Sequence, residues 1–394
     1  MKKIWIFLSL LLLPSLLPLK ALQAKELSQY TAIRVQKASQ FAQDEKLKEA
    51  IDTLSALELS KEYDKAFVAR MLGVYHWQNG NTKSAIKELT YAVDSGLLLD
   101  EQAWITQRML ADVLLNEQHF KTALPHYYAL VKYAPETEKM DLLWMRIAQA
   151  EYQIGNWSNV LKAISKHNKL KPAPDLAPLS LKLGSQLQLK QWKPAISTLE
   201  SLIVLQPEKT NWWRQLVGLQ LRLNQNRAAL NTLALADLQG VELSDSDRRL
   251  TAQLYAKRGI PERAAKELSK LSNAHTDVQL LAEQATYWQL AREWDTSIKV
   301  WEMASKYNAK YHWNVAQLMV QQGYYQKALV ELDKVKQKEK QADVALAKVR
   351  SWYKLKELEN ALIHAKRAEN IEASTEAKGW IKYLTQLRRI DTSS

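Results

Sequence analysis

Residues 72–92 read LGVYHWQNGNTKSAIKELTYA. Ala85 is followed four residues later by Leu89, a spacing that puts both on one helical face. The small member lets a neighbouring helix approach, and the large one fills the gap above it. Gly80 lies just before this face. A left-handed residue there can end one helix without a Cβ clash before the next begins. The stretch therefore reads as two helices joined by a tight turn.

The same small-then-large register recurs along the chain. Besides Ala85/Leu89 it gives Ala50/Leu54, Ala123/Tyr127, Val160/Ile164 and Ala195/Leu199. It continues as Ala229/Leu233, Ala264/Leu268, Ser297/Trp301, Ala328/Leu332 and Ala361/Ala365. Successive first members lie 31 to 38 residues apart, close to the ~34-residue period of helix-turn-helix repeats. Gly155, Gly259 and Gly323 fall at turns equivalent to Gly80, and Pro261 suits the first turn of the helix that follows. Pro135, Pro172 and Pro207 each stand 12 residues past a small member, where proline stops the second helix. The unit around Ala195 reads one residue short in its inter-helix turn. Residues 374–390 read as a closing helix, with Trp380 and Leu384 covering the last exposed face.

Leu72-Gly73 with the ladder Ala85, Leu89 and Ala92 resembles the tetratricopeptide pattern, as do Trp144-x2-Ile147-Ala148 and Trp213-x2-Leu216. The resemblance spans roughly ten units. It implies an all-α fold: a right-handed superhelical α-solenoid of helix pairs with a C-terminal capping helix. Two stretches read as bends within one array, 169–180 with three prolines and 237–247 with Gly240 and a Ser244 cap.

Composition agrees. Gly and Pro number 10 each in 394 residues, about 5% together against about 12% in an average chain, which favours helix throughout. No cysteine is present, so disulfides, thiolate nucleophiles, Cys-bearing zinc sites and iron–sulfur clusters are excluded.

Residues 1–24, MKKIWIFLSLLLLPSLLPLKALQA, combine a basic head at Lys2 and Lys3, an apolar run and the small residues Ala21 and Ala24. This is the layout of a secretory signal. Its apolar run is short of the ~20 residues of a membrane span. Cleavage after Ala24 would leave a periplasmic chain at 25–394 without a transmembrane span; Lys20 and Leu22 suit the cut poorly, and the alternative is an uncleaved inner-membrane anchor. The net charge of +13 becomes +10 without Lys2, Lys3 and Lys20, a surplus that reads first as a solvated surface.

No catalytic constellation appears. The seven histidines form no His-x3-His or HExxH pair, no glycine-rich phosphate loop or nucleophile elbow is present, and the carboxylates are dispersed. The expectation is no catalysis, no metal and no cofactor. Tryptophan beside arginine, as at Trp212, Trp213 and Arg214, could stack bases. Trp144, Trp213, Trp288, Trp294, Trp301 and Trp352 instead fall on core stripes, so no nucleic-acid partner is expected.

A partner would sit on the concave face lined by the first helix of each pair. Counting back from the ladder places Arg70, Trp77, Arg108, Tyr152, Arg214, Arg249, Gln253 and Arg350 there. Guanidinium groups suit carboxylate ligands through a two-point fork.

Three strings, residues 63–71, 253–265 and 287–295, resemble exported repeat proteins that accompany the TonB energy-transduction system of marine gamma-proteobacteria. That resemblance implies a periplasmic scaffold serving TonB-dependent iron uptake, with TonB-system components as protein partners. The alternatives are a scaffold for cell-envelope or peptidoglycan assembly and an enzyme-activating subunit.

Overall fold

The structure is a computed structural model that describes residues 26–135 and 138–391. The signal-like segment 1–24 lies outside the described residues. Every regular element among them is a helix.

The chain divides into two compact units between Lys190 and Gln191. The first holds α1 (Gln29–Gln43), α2 (Leu47–Ser55), α3 (Glu62–Gln78), α4 (Thr82–Asp94), α5 (Asp100–Asn116), α6 (Phe120–Lys132), α7 (Met140–Gln153), α8 (Trp157–Leu170) and α9 (Leu176–Gln188). The second holds α10 (Trp192–Leu205), α11 (Thr210–Arg222), α12 (Asn226–Leu238), α13 (Asp245–Lys257), α14 (Pro261–Leu268), α15 (Val278–Leu290), α16 (Trp294–Tyr307), α17 (His312–Gln321), α18 (Tyr325–Asp333), α19 (Gln341–Lys354), α20 (Leu358–Ile371) and α21 (Thr375–Asp391). Within each unit consecutive helices pack as hairpins, and each hairpin packs on the next. This is a tetratricopeptide-like arrangement.

The small-then-large register is the seam of these hairpins. All ten pairs, from Ala50/Leu54 to Ala361/Ala365, are buried. Ala85 and Leu89 have no exposed surface at all. Covering a leucine side chain in this way contributes roughly 1.5–3 kcal/mol. The backbones come close enough that a Cβ on Gly73 would lie 2.5 Å from Leu89 Cγ. Any side chain at 73 would push α3 and α4 apart.

Nine turns join a first helix to a second within one unit, and all nine use one device. The third-last residue of the first helix accepts a hydrogen bond from the residue that opens the second turn, as in His119 N to Leu114 O (2.8 Å) and Glu357 N to Trp352 O (2.9 Å). The residue between adopts positive φ. Gly80, Gly155, Gly259 and Gly323 do so as expected. Glu45, Gln118, Lys190, Asn224, Arg292 and Lys356 do so without being glycine. The turn before α10 is not one residue short: Leu189, Lys190 and Gln191 form it, with Lys190 taking the left-handed position at φ 55°. Only the missing glycine disguises it.

The stops and caps also follow the chain chemistry. Pro135, Pro172 and Pro207 stand just beyond α6, α8 and α10, and Pro261 opens α14. Ser244 and Asp247 form a reciprocal capping box at the start of α13. The closing helix is α21. Its Leu384 is buried and its Trp380 half-buried, against a cluster that includes Val349, Ala361 and Leu362.

Candidate functional site

The eight residues expected to face a partner all lie on first helices, at repeated offsets from the left-handed turn residue. Arg70 (α3), Arg108 (α5), Arg214 (α11) and Arg249 (α13) each stand ten residues before it. Gln253 and Arg350 (α19) stand six before it, and Trp77 and Tyr152 (α7) three. They therefore mark one face of the first helices within each unit.

Most of these arginines are already paired inside the chain. Arg214 Nε and Nη2 donate to Asp247 Oδ2 at 3.1 and 3.0 Å. Arg249 Nη2 reaches Glu283 Oε2 at 3.1 Å. Arg350 donates to Glu376 and Arg108 to Glu138, both at 2.6 Å. Asp247 and Glu283 lie 33 and 34 residues after their arginines, one repeat on, so the pairs tie neighbouring first helices together. Burial raises the pKa of Asp247, but its bonds from Ser244 and Arg214 outweigh this and hold the carboxyl below its usual value. Tyr152 is also committed. Its ring stands edge-on to Trp157 at 5.0 Å, and a Cβ on Gly184 would lie 2.5 Å from its hydroxyl.

Arg70 differs. Among the described residues no carboxylate pairs with it. Its Nε is buried without a hydrogen-bond partner, and Nη1 finds only Met71 Sδ at 4.0 Å. Its guanidinium carbon lies 5.8 Å from the centre of the Phe67 ring. Burial pushes its pKa below the usual arginine value, against the pull of Tyr63 and Tyr75. The cause is readable one repeat later. The carboxylates of Asp247 and Glu283 stand twelve and nine residues before their turn; the same positions after Arg70 are Thr106 and Met109. A half-buried cation without its counter-charge is costly, and a partner's carboxylate would relieve that cost. Trp77, two helical turns along α3, is 41% exposed and supplies an aromatic surface on the same helical face.

In the second unit, Gln253 is exposed, and Arg350 lines a cleft of about 480 Å³ between α15, α17, α19 and α21. Asn314, Gln317 and Gln321 on α17 present amides to it, and Lys340 lies 5.7 Å over the Trp313 ring. Such a lining suits the hydrogen-bonding groups of an extended peptide rather than a reaction. Among the described residues no group of three or more His, Asp or Glu could hold a metal ion, and no helix is long and apolar enough to cross a membrane.

The pairing carboxylates went unrecognised in the sequence reading. An acidic residue 33 or 34 residues after Arg214 and Arg249 was the available signal. Trp213 and Trp301 are buried and Trp144, Trp288, Trp294 and Trp352 half-buried, as the core-stripe reading requires.

No protein-family profile matches the chain, and a comparison with curated proteins finds no match either. Among solved structures, a tetratricopeptide repeat protein from Parabacteroides merdae is similar at 14% identity, covering 67% of this chain and 100% of its own, with a TM-score of 0.37. MamA from Desulfovibrio magneticus RS-1 is similar at 16% identity, over 44% of this chain and 93% of its own, with a TM-score of 0.35. A human IFIT1 dimer with m7Gppp-AAAA aligns at 16% identity over 93% and 88%, with a TM-score of 0.29. At these identities and scores, nothing about partner, chemistry or compartment passes from them to this chain.

Proposed function

We propose that this chain is a non-catalytic scaffold that holds another protein on the first-helix face of its N-terminal unit, with Arg70 as the anchor. The single observation that carries this reading is the unpaired, half-buried Arg70 in a register whose other arginines are neutralised. A half-buried arginine sharing a helical face with an exposed tryptophan has the composition of an interface hot spot. A carboxylate from the partner, at a chain end or on an acidic side chain, would complete the fork.

The reading extends to place. The basic head, apolar run and small residues of 1–24 support export to the periplasm. The resemblance of residues 63–71, 253–265 and 287–295 to TonB-associated repeat proteins supports a role beside TonB-dependent uptake of iron complexes. The first of these strings contains Arg70 itself.

A photo-crosslinking residue in place of Trp77, in living cells, with captured proteins identified by mass spectrometry, tests all three parts. The expected result is capture of TonB or its membrane motor partners, lost when Arg70→Glu is added. Capture of wall-assembly proteins alone would overturn the iron-uptake reading. Capture unaffected by Arg70→Glu would overturn the anchor.

A further inference from the structure

The second unit holds a cavity of about 450 Å³ where the end of α18, the loop after it, α19 and α20 meet. Its size falls within the usual range for small-ligand sites, about 300–1,000 Å³. Four permanent cations line it, Lys336, Lys338, Lys348 and Arg367, together with His364 and a single carboxylate, Asp333.

The charges are not balanced within the chain. The Lys348 side chain is only 11% exposed, yet its ammonium pairs with Asp333 alone, and that carboxylate is 71% exposed. Lys336 Nζ is satisfied by the Asp333 carbonyl at 3.2 Å, which consumes no negative charge. Among the described residues Lys338 and Arg367 have no carboxylate partner. His364 Nδ1 is buried with no hydrogen-bond partner. Gln341 donates its amide nitrogen to the carbonyls of Val335 and Gln337 at 3.0 and 3.2 Å. The cavity is therefore rich in cationic donors and holds a single carboxylate. A concave site of one sign concentrates counter-ions, and buried cations bind oxyanions through short charge-assisted bonds.

We infer that this cavity is a binding site for a multiply charged phosphate-class oxyanion, with Lys348 and Arg367 as its principal ligands, Lys338 at its mouth and His364 as a further donor. Free polyphosphates and phosphorylated metabolites share this chemistry with anionic lipid headgroups.

Burial, Lys348 and Arg367 hold the His364 imidazole below its usual pKa, opposed only by Asp333. A bound anion reverses that field, so binding is coupled to proton uptake by His364.

Isothermal titration of the full chain with pyrophosphate tests the site, alongside flotation with phosphatidylcholine vesicles that contain or lack phosphatidic acid. Lys338 and Arg367 are exposed, so K338Q/R367Q keeps the fold, checked by an unchanged thermal midpoint. Saturable one-to-one binding of pyrophosphate is expected, weakened at least about tenfold in the double variant, with a rise in the His364 pKa followed by NMR. Pyrophosphate binding without vesicle binding assigns a soluble anion. Binding to both, lost together in the double variant, assigns a headgroup. The inference is overturned by the absence of saturable pyrophosphate binding at ~10 mM, by equal affinity of the double variant, or by an unmoved His364.

Discussion

Arg70 in the first unit and Arg249 in the second occupy one place in the repeat, ten residues before a left-handed turn, but their surroundings differ. Arg249 meets Glu283 from the next first helix at 3.1 Å. Arg70 meets the register positions of Thr106 and Met109 and keeps a buried Nε without a partner. A repeat fixes where a side chain points. Whether that side chain is available is decided by the neighbouring repeat. An arginine on a ligand-facing stripe is thus a candidate anchor only where the next unit withholds its carboxylate.

The comparison depends first on the register, and the largest effect would come from breaking it. Ala85→Arg forces a guanidinium into a seam with no exposed surface, at an expected cost of about 4 kcal/mol. Chemical denaturation should show this as a large fall in the midpoint. An unchanged midpoint would remove the frame in which Arg70 and Arg249 are equivalent.

The paired side can be weakened next. Asp247 carries both a helix cap and the Arg214 pair, so Asp247→Asn should cost ~0.5–1 kcal/mol at pH 7, the scale of a lost cap. Its folded pKa is depressed, so its contribution is present above the unfolded value near 3.9 and is lost as pH falls through the folded value. The stability gap between variant and native chain should therefore close below about pH 4, as followed by thermal melts across pH.

The ruler from which both arginines are counted is open to test through Arg292, which holds φ 61° without being glycine. Arg292→Gly should raise stability by roughly 0.5–1 kcal/mol, because the left-handed strain of a side-chain-bearing residue is removed. The smallest effect belongs to Glu283→Ala. An exposed ion pair contributes less than ~1 kcal/mol, so the melting point should barely move, while Arg249 becomes unpaired like Arg70 and capture of an acidic probe peptide there should appear.

Much of this was legible before any coordinates. A spacing of four between small and large residues is a direct consequence of helical geometry, so all ten seams from Ala50 to Ala365 could be placed. The proline stop at Pro207 and the helix starts at Pro261 and Ser244 carry their own chemistry. The turns at Glu45, Gln118, Lys190, Asn224, Arg292 and Lys356 were missed because left-handed backbone has no sequence marker when glycine is absent. The arginine stripe was placed, but its neutralisation was not, since a pair between repeats is visible only when acidic residues are counted one period ahead. The cationic cavity at Lys348 lay beyond reach for a similar reason. Asp333, Lys348 and Arg367 come from three different helices or helix ends, and nothing in their spacing announces a common space.

The central claim is that Arg70 alone among the register-matched arginines is free to hold a partner. The direct measurement is the affinity of the purified chain for the partner captured at position 77, with Arg70, Arg214 and Arg249 replaced by glutamate one at a time. Arg70→Glu should weaken binding about 30-fold, or roughly 2 kcal/mol, while Arg214→Glu and Arg249→Glu change it less than about threefold. Equal losses at all three positions, or none at Arg70, would contradict the account.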